Sequence, residues 1–394
     1  MKIILIGTDD NKERYWQPEL LEHIKESYYF SGGKRHHELI KPYLPEKYEW
    51  IEIAPPVQDV VRSYEGKSQV VVIASCDPIF NGVGERIMRE FPEAEIVLFP
   101  YFNSLQMLAH KALLPYQALH VVSLTGRPWL AFDAALIQGE RMIGVLTDNR
   151  LHTPRLIASR MQEYGYDNYD VYVGELLGNK EHERVTRLSI VEVASRDFEY
   201  PNNLILIRRE QRTRLFGIPD RLFTHLEGRE RMMTKMPIRL LSLSMLGLYG
   251  RSVLWDIGSC TGSVSVEAKL QFPHLEVVAF EIRSEGERLL RENAQKFGAP
   301  GIEFGGGDFL EVELSQLPAP DAVFIGGHGG KMLEIVDRVW QVLADDGVVV
   351  FNSVSDDSYR LFYDAIERVG GKIEEETKLA VDQYNPIRVM KARK

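Results

Sequence analysis

A glycine turn in the last third of the chain has the residue types and spacing of a nucleotide site. Asp256 ends the strand-like run SVLWD. The turn after it contains Gly258, Cys260 and Gly262, and a helix-like run follows. A glycine turn lets the backbone approach a ligand closely, because no Cβ intervenes. In parallel α/β sheets ligands bind beyond the carboxyl ends of the strands, which is where such a turn lies.

Two nucleotide patterns compete for this turn. A dinucleotide site requires G-x-G-x-x-G, whereas the chain from Gly258 reads G-S-C-T-G-S and departs at the third and sixth places. The methyltransferase pattern D-x-G-x-G-x-G is matched at its acid and at two of its three glycines, with Cys260 in the middle place. A nicotinamide oxidoreductase is therefore the weaker interpretation. We expect Cys260 to be a small buried thiol that points away from the ligand.

Two further acids favour a methyl-donor site. Glu281 ends the next strand-like run, VVAFE, where a carboxylate can bridge both ribose hydroxyls. Asp308 follows the third run, IEFGGG, where an acid can reach an adenine amino group. Carboxylates suit S-adenosylmethionine, which is a cation without phosphates, and they suit a pyrophosphate poorly. The residues predicted to bind this donor are Asp256, Gly258, Cys260, Gly262, Glu281 and Asp308.

The glycine-rich segment FIGGHGG (324–330) follows the fourth strand of this half. Methyl donor and acceptor should meet at that strand end, so we expect Gly326 to contact the donor. Gly327, His328 and Asn352 are the candidate catalytic positions. Of these, His328 is the residue that could act as a base or an acid.

Strand-like and helix-like runs alternate along the whole chain, which predicts an α/β protein. The second half opens with a helix that we expect Thr234 to cap, and Pro237 lies in its first turn. Repeated βα units follow, as in a doubly wound, mostly parallel sheet. A length of 394 residues is typical of two domains, and we place them at 1–210 and 211–394.

Composition disfavours several other classes of protein. A net charge of -10 argues against a general nucleic-acid binder. No apolar run approaches the ~18 residues of a membrane span, and the first run, MKIILIG, is too short for a signal peptide. Cys76 and Cys260 are the only two cysteines, which disfavours a disulfide framework or a zinc site. We therefore expect a cytoplasmic protein without a nucleic-acid or membrane partner.

From residue 217 onward, several segments resemble one enzyme family closely. They are GIPD (217–220), MTK (233–235), DIGSCTGSVSVE (256–267), PDAVFIGGHGG (320–330) and FNSV (351–354). They look like the C-terminal half of the precorrin-6Y C5,15-methyltransferases (decarboxylating), which are enzymes of cobalamin biosynthesis. The resemblance implies a Rossmann-like class I S-adenosylmethionine-dependent methyltransferase domain.

The first half resembles the tetrapyrrole-methyltransferase fold, in which two α/β lobes hold a donor between them. Through ASCDP (74–78), NSLQ (103–106) and SLTGRP (123–128), this resemblance implies donor binding by Asp77, Ser104 and Gly126. Two segments depart from the family pattern. GTDDN (7–11) stands where the family has G-x-G-P-G, and Cys76 replaces the glycine of SGDP. The other matching segments are NGVG (81–84) and GELLGNKEHERVT (174–186).

The resemblance implies one tetrapyrrole substrate shared by both domains and one S-adenosylmethionine for each. The N-terminal domain of the family is associated with methylation at C5. The C-terminal domain is associated with methylation at C15 and loss of CO2 from the C12 acetate, which gives precorrin-8X. The family also favours a homo-oligomer. Because the substrate carries many carboxylates, basic side chains should bind them; the candidates are Arg127, Arg231, Lys235 and Arg239, with Thr234 beside them.

Two other functions stay open on the sequence alone, and the second of them is of a different class. A methyltransferase of the same donor fold could act on RNA or on another small molecule, although the chain lacks the aromatic and basic face that favours RNA. A donor-binding regulatory protein is the other alternative, in which Cys76 and Cys260 have ended catalysis. Donor binding without turnover would distinguish it. The sequence does not decide whether the substrate contains cobalt or which methylation comes first.

Overall fold

The computed structural model describes residues 1–9, 11, 15–229, 232–381 and 386–394. These residues form two compact units. The first unit comprises Met1–Arg127, Arg141–Ala158 and Tyr169–Arg208, and the second comprises Pro128–Glu140, Ser159–Asn168 and Arg209–Lys394. Two segments from the first half of the chain therefore pack within the second unit. A division of function at residue 210 stays a prediction.

The first unit begins with a five-stranded sheet. Its strands are β1 (Lys2–Thr8), β2 (Tyr29–Gly32), β3 (Glu49–Glu52), β4 (Gln69–Ser75) and β5 (Glu95–Phe99). The helices between them are α1 (Pro18–Lys25), α2 (Lys34–Ile40), α3 (Val57–Arg62) and α4 (Val83–Glu90). All strands are parallel, in the order β3-β2-β4-β1-β5. Residues 3–6 and 70–73 are wholly buried, as expected of strands covered on both faces.

The next part of the chain forms a second five-stranded sheet. Its strands are β6 (His120–Ser123), β7 (Met142–Leu146), β8 (Tyr169–Glu175), β9 (Arg184–Ser189) and β10 (Asn202–Arg208). The helices are α5 (Ser104–Lys111), α6 (Leu130–Gln138), α7 (Pro154–Glu163) and α8 (Ile190–Ala194). The order is β6-β7-β10-β8-β9, and only β6 and β7 pair in parallel. Helix α6 and the end of α7 belong to the second unit.

A seven-stranded sheet forms the centre of the second unit. Its strands are β11 (Val253–Ile257), β12 (Glu276–Phe280), β13 (Ile302–Phe304), β14 (Ala322–Ile325), β15 (Val348–Ser353), β16 (Lys372–Leu379) and β17 (Ile387–Arg393). The helices are α9 (Met236–Leu246), α10 (Ser263–Gln271), α11 (Gly286–Phe297), α12 (Met332–Val342) and α13 (Asp356–Arg368). The order is β13-β12-β11-β14-β15-β17-β16, with β17 and β16 antiparallel.

The predicted fold class is confirmed, because both units are α/β and the second has a Rossmann-like parallel sheet. Its two faces carry separate apolar clusters, and neighbouring residues of β11 alternate between them. Trp255 packs with Phe280 on one face, and Leu254 packs with Phe324 on the other. No helix within the described ranges is long and apolar enough to cross a membrane.

Candidate functional site

A cavity of about 360 Å³ lies in the second unit, and we call it the second-unit cavity. It opens at the carboxyl ends of the parallel strands, where α/β sheets bind their ligands. Gly262 and Arg239 do not line it, although the sequence predicted them as site residues. The predicted residues that line it are Thr234, Lys235, Asp256, Gly258, Cys260, Glu281, Asp308, Gly326, Gly327, His328 and Asn352.

Gly258 is the point at which the turn after β11 meets the glycine segment after β14. Its φ is +75°, and a Cβ there would lie 2.7 Å from the nitrogen and 2.9 Å from the oxygen of Gly327. The Gly326 N–H also donates a hydrogen bond to the Ile257 carbonyl at 2.8 Å. The two loops therefore touch backbone to backbone, which only glycine allows at position 258.

Gly262 has a packing role in the structure, and the donor-binding role predicted for it stays a prediction. The residue directly precedes α10, with a φ of +71°. A Cβ at this position would lie 2.3 Å from Cδ1 of Leu290 on α11. The absence of a side chain therefore allows these two helices to pack closely.

Cys260 lines the cavity and is only partly buried, so the expectation of a buried thiol was wrong. Its φ is +52°, a left-handed conformation in the place where the methyltransferase pattern has glycine. Its backbone N–H donates to Glu281 Oε2 at 2.8 Å, and its Sγ donates to the Met232 carbonyl at 2.8 Å. Burial, followed by the nearby Glu281 carboxylate, raises the pKa of the thiol. The thiol therefore stays protonated near neutral pH and is a poor nucleophile.

Cys260→Gly is expected to leave donor binding unchanged, because the contact with Glu281 comes from the backbone. Relief of left-handed strain, about 1–2 kcal/mol, offsets the added entropy of the unfolded chain, about 0.4–1 kcal/mol. The stability of the second unit should therefore change little. Calorimetric titration with S-adenosylmethionine checks the affinity. A loss of affinity in Cys260→Gly would show that the thiol itself contacts the donor.

Asp256 is a buried carboxylate, and only one of its two oxygens accepts hydrogen bonds from the described residues. Its Oδ2 accepts hydrogen bonds from the backbone N–H of Ser265 at 3.1 Å and from the Ser265 hydroxyl at 2.6 Å. Its Oδ1 has no partner within the described residues. Burial raises the pKa of Asp256 to about 6, and Glu281 contributes in the same direction. A cationic ligand would favour the ionised form and reverse this shift.

Affinity for S-adenosylmethionine at the second-unit cavity is expected to fall as the pH drops below about 6. Protonated Asp256 must then release its proton before it can pair with the cation, which weakens binding by up to about tenfold per pH unit. The raised pKa also means that the unliganded unit loses stability as the pH rises from about 4 to about 6. Titration calorimetry between pH 5 and 8 measures the affinity. If Asp256→Asn retains the same pH dependence, another group is responsible.

Glu281 and Asp308 are held in fixed orientations at the ends of the neighbouring strands. Glu281 Oε1 accepts from the backbone and the guanidinium of Arg283, at 3.0 and 2.8 Å. Asp308 Oδ1 accepts from the Leu310 N–H at 3.0 Å, and its Oδ2 lies 3.1 Å from the Lys331 ammonium. The hydrogen bond from the Leu310 N–H, and secondly the contact with the Lys331 ammonium, lower the pKa of Asp308. Arg283 and Lys331 also line the cavity, and neither was predicted from the sequence.

Three polar atoms of cavity-lining residues lack a protein partner within the described residues. They are Asp256 Oδ1, Ser259 Oγ and Asn352 Nδ2. The side chain of Asn352 is otherwise anchored, since its Oδ1 accepts from the Ser242 hydroxyl at 3.0 Å. Buried polar atoms are rarely left unpaired unless a ligand or water satisfies them. A cationic ligand with both donors and acceptors satisfies this set, so these residues fit S-adenosylmethionine.

His328 is a neutral histidine in the wall of the cavity. The Gly330 N–H donates to its Nδ1 at 3.2 Å, so Nε2 carries the ring proton. Burial lowers the pKa of His328. Its ring packs edge-on against Phe351, with centroids 5.8 Å apart. The residue can therefore donate one N–H hydrogen bond at neutral pH.

Arg239 has a structural role in place of the substrate-binding role predicted for it. Its side chain is fully buried and does not line the cavity. Its Nε donates to Glu267 Oε2 at 3.2 Å, and its Nη1 lies 3.4 Å from Asp220 Oδ1. The guanidinium also donates to the carbonyls of Ile218 and Thr234. These contacts fasten the GIPD segment to α9.

The start of α9 differs in detail from the prediction. The Met236 N–H donates to Asp220 Oδ1 at 3.0 Å, so the Asp220 carboxylate provides the capping hydrogen bond that we expected from Thr234. Lys235 occupies the N-cap position, and its ammonium lies 3.7 Å from Asp220 Oδ2. Lys235 and Thr234 both line the cavity. Arg231 lies outside the described residues.

A second cavity, of about 440 Å³, lies in the first unit, and we call it the first-unit cavity. Both five-stranded sheets of this unit contribute to its wall. Ser104, predicted to bind the donor, lines this cavity. Its neighbour Asn103 caps α5 by accepting the Gln106 N–H at 2.8 Å, which fixes the start of that helix. The Cys76 position, where the family pattern has glycine, also lines it.

Three other predicted residues of the first half do not line this cavity. Asp77 Oδ1 accepts the Ile79 N–H at 3.0 Å, so its carboxylate supports its own turn. Gly126 has a φ of +63° and serves a turn, and Arg127 is exposed to solvent. The binding roles predicted for Asp77, Gly126 and Arg127 are therefore not supported by the geometry.

The first-unit cavity nevertheless shows features of a ligand site. Asn203 is 2% exposed, lines the cavity and has an Oδ1 without a partner within the described residues. A Cβ at Gly7 would lie 2.2 Å from the Cys76 carbonyl, and Cys76 itself has a φ of +58°. Within GTDDN, Asp9 Oδ2 accepts from the Tyr101 hydroxyl at 2.9 Å, and Asp10 lies outside the described residues. An unpartnered acceptor beside closely packed loops fits a ligand with N–H donors, such as an adenine.

Comparison with known proteins identifies relatives along most of the chain. Residues 225–393 match the family model described as Precorrin methyltransferase domain. A precorrin-6Y C(5,15)-methyltransferase (decarboxylating) from Sinorhizobium sp is 31% identical over 353 residues. That alignment covers 87% of this chain and 82% of the relative.

Two further relatives match about half of the chain. A cobalt-precorrin-6B C(15)-methyltransferase (decarboxylating) from Salmonella typhimurium is 34% identical over 168 residues, covering 43% of this chain and 85% of that protein. The crystal structure of a precorrin-6Y C5,15-methyltransferase from Geobacter metallireducens is 32% identical, covers 45% of this chain and 96% of that one, and has a TM-score of 0.41. Because the similarity to the Sinorhizobium protein extends over most of both chains, this chain belongs to the family of decarboxylating precorrin-6Y C(5,15)-methyltransferases.

Proposed function

We propose that this chain transfers two methyl groups from S-adenosylmethionine to precorrin-6Y, at C5 and C15, and removes CO2 from the C12 acetate. The product is precorrin-8X. The observation that carries the proposal is the second-unit cavity. In a chain of this family, it combines three strand-end carboxylates, the Gly258–Gly327 contact and unpartnered buried polar atoms.

We assign methylation at C15 and decarboxylation to the second unit, and methylation at C5 to the first. The family model covers residues 225–393, which lie in the second unit. The relative named as a C(15)-methyltransferase matches 43% of this chain, close to the length of that segment. The separate cavity of the first unit supports a second methylation site.

In the second unit, the protein mainly orients its ligands and excludes water. S-adenosylmethionine supplies an already activated methyl group, so no nucleophilic side chain is required. Asp256, Glu281 and Asp308 would hold the donor. The contact between Gly258 and Gly327 would fix the positions of the two loops relative to each other. Such positioning of reacting groups can lower a barrier by several kcal/mol.

Lys235, Lys331 and His328 would act on the acceptor. The two ammonium groups can bind substrate carboxylates by charge-assisted hydrogen bonds. His328 is neutral and can donate a hydrogen bond from its Nε2–H, so we assign it the role of hydrogen-bond donor to the acceptor during loss of CO2. The conjugated macrocycle would receive the electron pair that CO2 leaves behind.

We further propose two donors per chain, a homo-oligomer and a cytoplasmic location. The presence of two cavities supports two donors per chain. The resemblance to the family supports the homo-oligomer and the cytoplasmic location. Titration calorimetry with S-adenosylmethionine should give a stoichiometry of two. Light scattering measures the oligomeric state directly.

The test is incubation of the purified full chain with S-adenosylmethionine and precorrin-6Y, with and without cobalt in the macrocycle. The proposal predicts a product mass that shows two added methyl groups and the loss of one CO2. The preferred acceptor then decides whether the natural substrate contains cobalt. Donor binding without any change in either acceptor would overturn the proposal and favour the donor-binding regulatory alternative.

A further inference from the structure

Arg35, His36 and Ser75 form a hydrogen-bonded cluster at the first-unit cavity, apart from the residues assigned above. Arg35 and Ser75 line the cavity. Arg35 Nη2 donates to Ser75 Oγ at 2.7 Å, and His36 Nε2 lies 3.0 Å from the same oxygen. The Gly33 N–H donates to His36 Nδ1 at 3.2 Å. Helix α2 thus presents two side chains to one hydroxyl at the end of β4.

The proton positions in this cluster follow from these contacts. Because His36 Nδ1 accepts a hydrogen bond, the ring proton lies on Nε2, which then donates to Ser75. Burial, and secondly Arg35, lowers the pKa of His36 to about 4, so the ring is neutral at pH 7. The Ser75 oxygen therefore accepts from both Arg35 and His36. A hydroxyl has two lone pairs and one proton, so the proton of the exposed Ser75 is left for water or for a bound ligand.

We propose that Ser75 and Arg35 form a subsite for a carboxylate of the substrate, with His36 as the residue that orients the Ser75 hydroxyl. The proposal rests on the proposed function, since it names how the first unit binds the carboxylate-rich acceptor. The ligand class follows from the chemistry of the subsite. An O–H donor polarised by two other donors, beside a guanidinium, favours an anionic oxygen.

Another part of the cavity wall presents a hydrogen-bond acceptor, whereas Ser75 and Arg35 present donors, and this difference supports the assignment. The unpartnered Oδ1 of Asn203 is an acceptor and suits a ligand N–H. Arg127, the cation that the sequence predicted for this half, does not line the cavity. Arg35 does line it and brings a guanidinium to its wall.

The test uses the full chain and measures the two methylations separately in one protein. Arg35→Gln and Ser75→Ala should each raise the KM for precorrin-6Y in methylation at C5 by about tenfold or more, because each removes a hydrogen bond to an ionised group. The kcat of that step should change much less. Methylation at C15 and release of CO2 should keep their wild-type rates, because those reactions are assigned to the other cavity.

Matched variants separate a binding role from a structural one. Lys34→Gln removes a neighbouring positive charge whose side chain is 82% exposed, and it should leave both methylations unchanged. His36→Gln retains an acceptor for Gly33 and a donor for Ser75, so it should rescue the defect that His36→Ala causes. Ser75→Thr keeps the hydroxyl and should retain activity.

The outcomes distinguish this proposal from the proposed function. If the wild type methylates at C5 and Arg35→Gln and Ser75→Ala keep its KM, the subsite is wrong. Equal loss of both methylations would indicate a general structural defect and would also overturn it. If the wild type modifies neither position of precorrin-6Y, the proposed function itself fails.

Discussion

Gly258→Ala is expected to weaken methyl-donor binding at the second-unit cavity by about thirty-fold or more. A Cβ at this position would lie 2.7 Å from the backbone nitrogen of Gly327, so a loop must move. The φ of +75° adds left-handed strain. Together these effects cost about 2–5 kcal/mol, or about thirty-fold to several thousandfold in affinity. Calorimetry should therefore show one donor per chain bound with wild-type affinity, where the wild type binds two.

Gly247→Ala is the matched control for backbone strain. Gly247 has a φ of +64° at the end of α9, but no atom lies within 4 Å of the place that a Cβ would take. This variant should lose about 1–2 kcal/mol of stability from strain alone and should still bind two donors. Two donors bound by Gly258→Ala with unchanged affinities would refute the role given to the contact between the loops.

Glu267→Gln is expected to destabilise the second unit by about 3–5 kcal/mol, because it removes the fully buried carboxylate that pairs with the Arg239 cation and leaves only the partly exposed Asp220 beside it. The Arg239 and Glu267 side chains are both 0% exposed. Glu267 also accepts the N–H groups of Gly217 and Ile218, at 2.8 and 3.0 Å. The measurement is urea unfolding followed by a signal from the second unit. Arg239→Gln should show a comparable loss, without a separate effect on substrate KM in the fraction that stays folded.

Glu292→Gln provides the control for this prediction. Glu292 pairs with Arg288 on the surface of α11 at 2.7 Å, and its side chain is 41% exposed. Removal of this exposed pair should cost no more than about 0.5 kcal/mol. If Glu267→Gln costs as little, the buried pair is not what fastens the GIPD segment to α9.

The strand-end acids of the second unit could be predicted because their positions depend on local pattern. Each follows an apolar run that reads as a parallel strand, and parallel strands of one sheet end at one edge. Asp256, Glu281 and Asp308 all line the cavity as a result. The glycine turn was recognisable for the same reason, although only the structure separates the loop contact of Gly258 from the packing role of Gly262.

The basic residues were harder to predict, because their partners are distant in sequence. In a predicted helix, Arg239 has the same sequence pattern whether its side chain contacts solvent, substrate or a buried carboxylate. Its partner Glu267 lies 28 positions further along the chain. Arg35 was not predicted for the same reason, since Ser75 is 40 positions away and neither residue belongs to a recognised charge cluster.

Two features of the architecture also could not be predicted from the local sequence pattern. Strand β16 reads KIEEETKL, with exposed charges typical of an edge strand, and it joins the sheet only through its pairing with β17. The segment containing α6 packs within the second unit through contacts with residues far along the chain. Asp133 on α6, for example, is wholly buried, and a Cβ at Gly301 would lie 2.8 Å from its Oδ2. Such long-range packing has no periodic signature in the sequence.

The most direct test of the central claim is the ratio of methyl groups transferred to CO2 released by the purified full chain. The donor would carry a labelled methyl group, and precorrin-6Y would be the acceptor. Two cavities acting on one substrate predict two labelled methyl groups for each CO2. One methyl group for each CO2 would show that only the second-unit cavity is active, and this result would contradict the assignment of a methylation site to each unit.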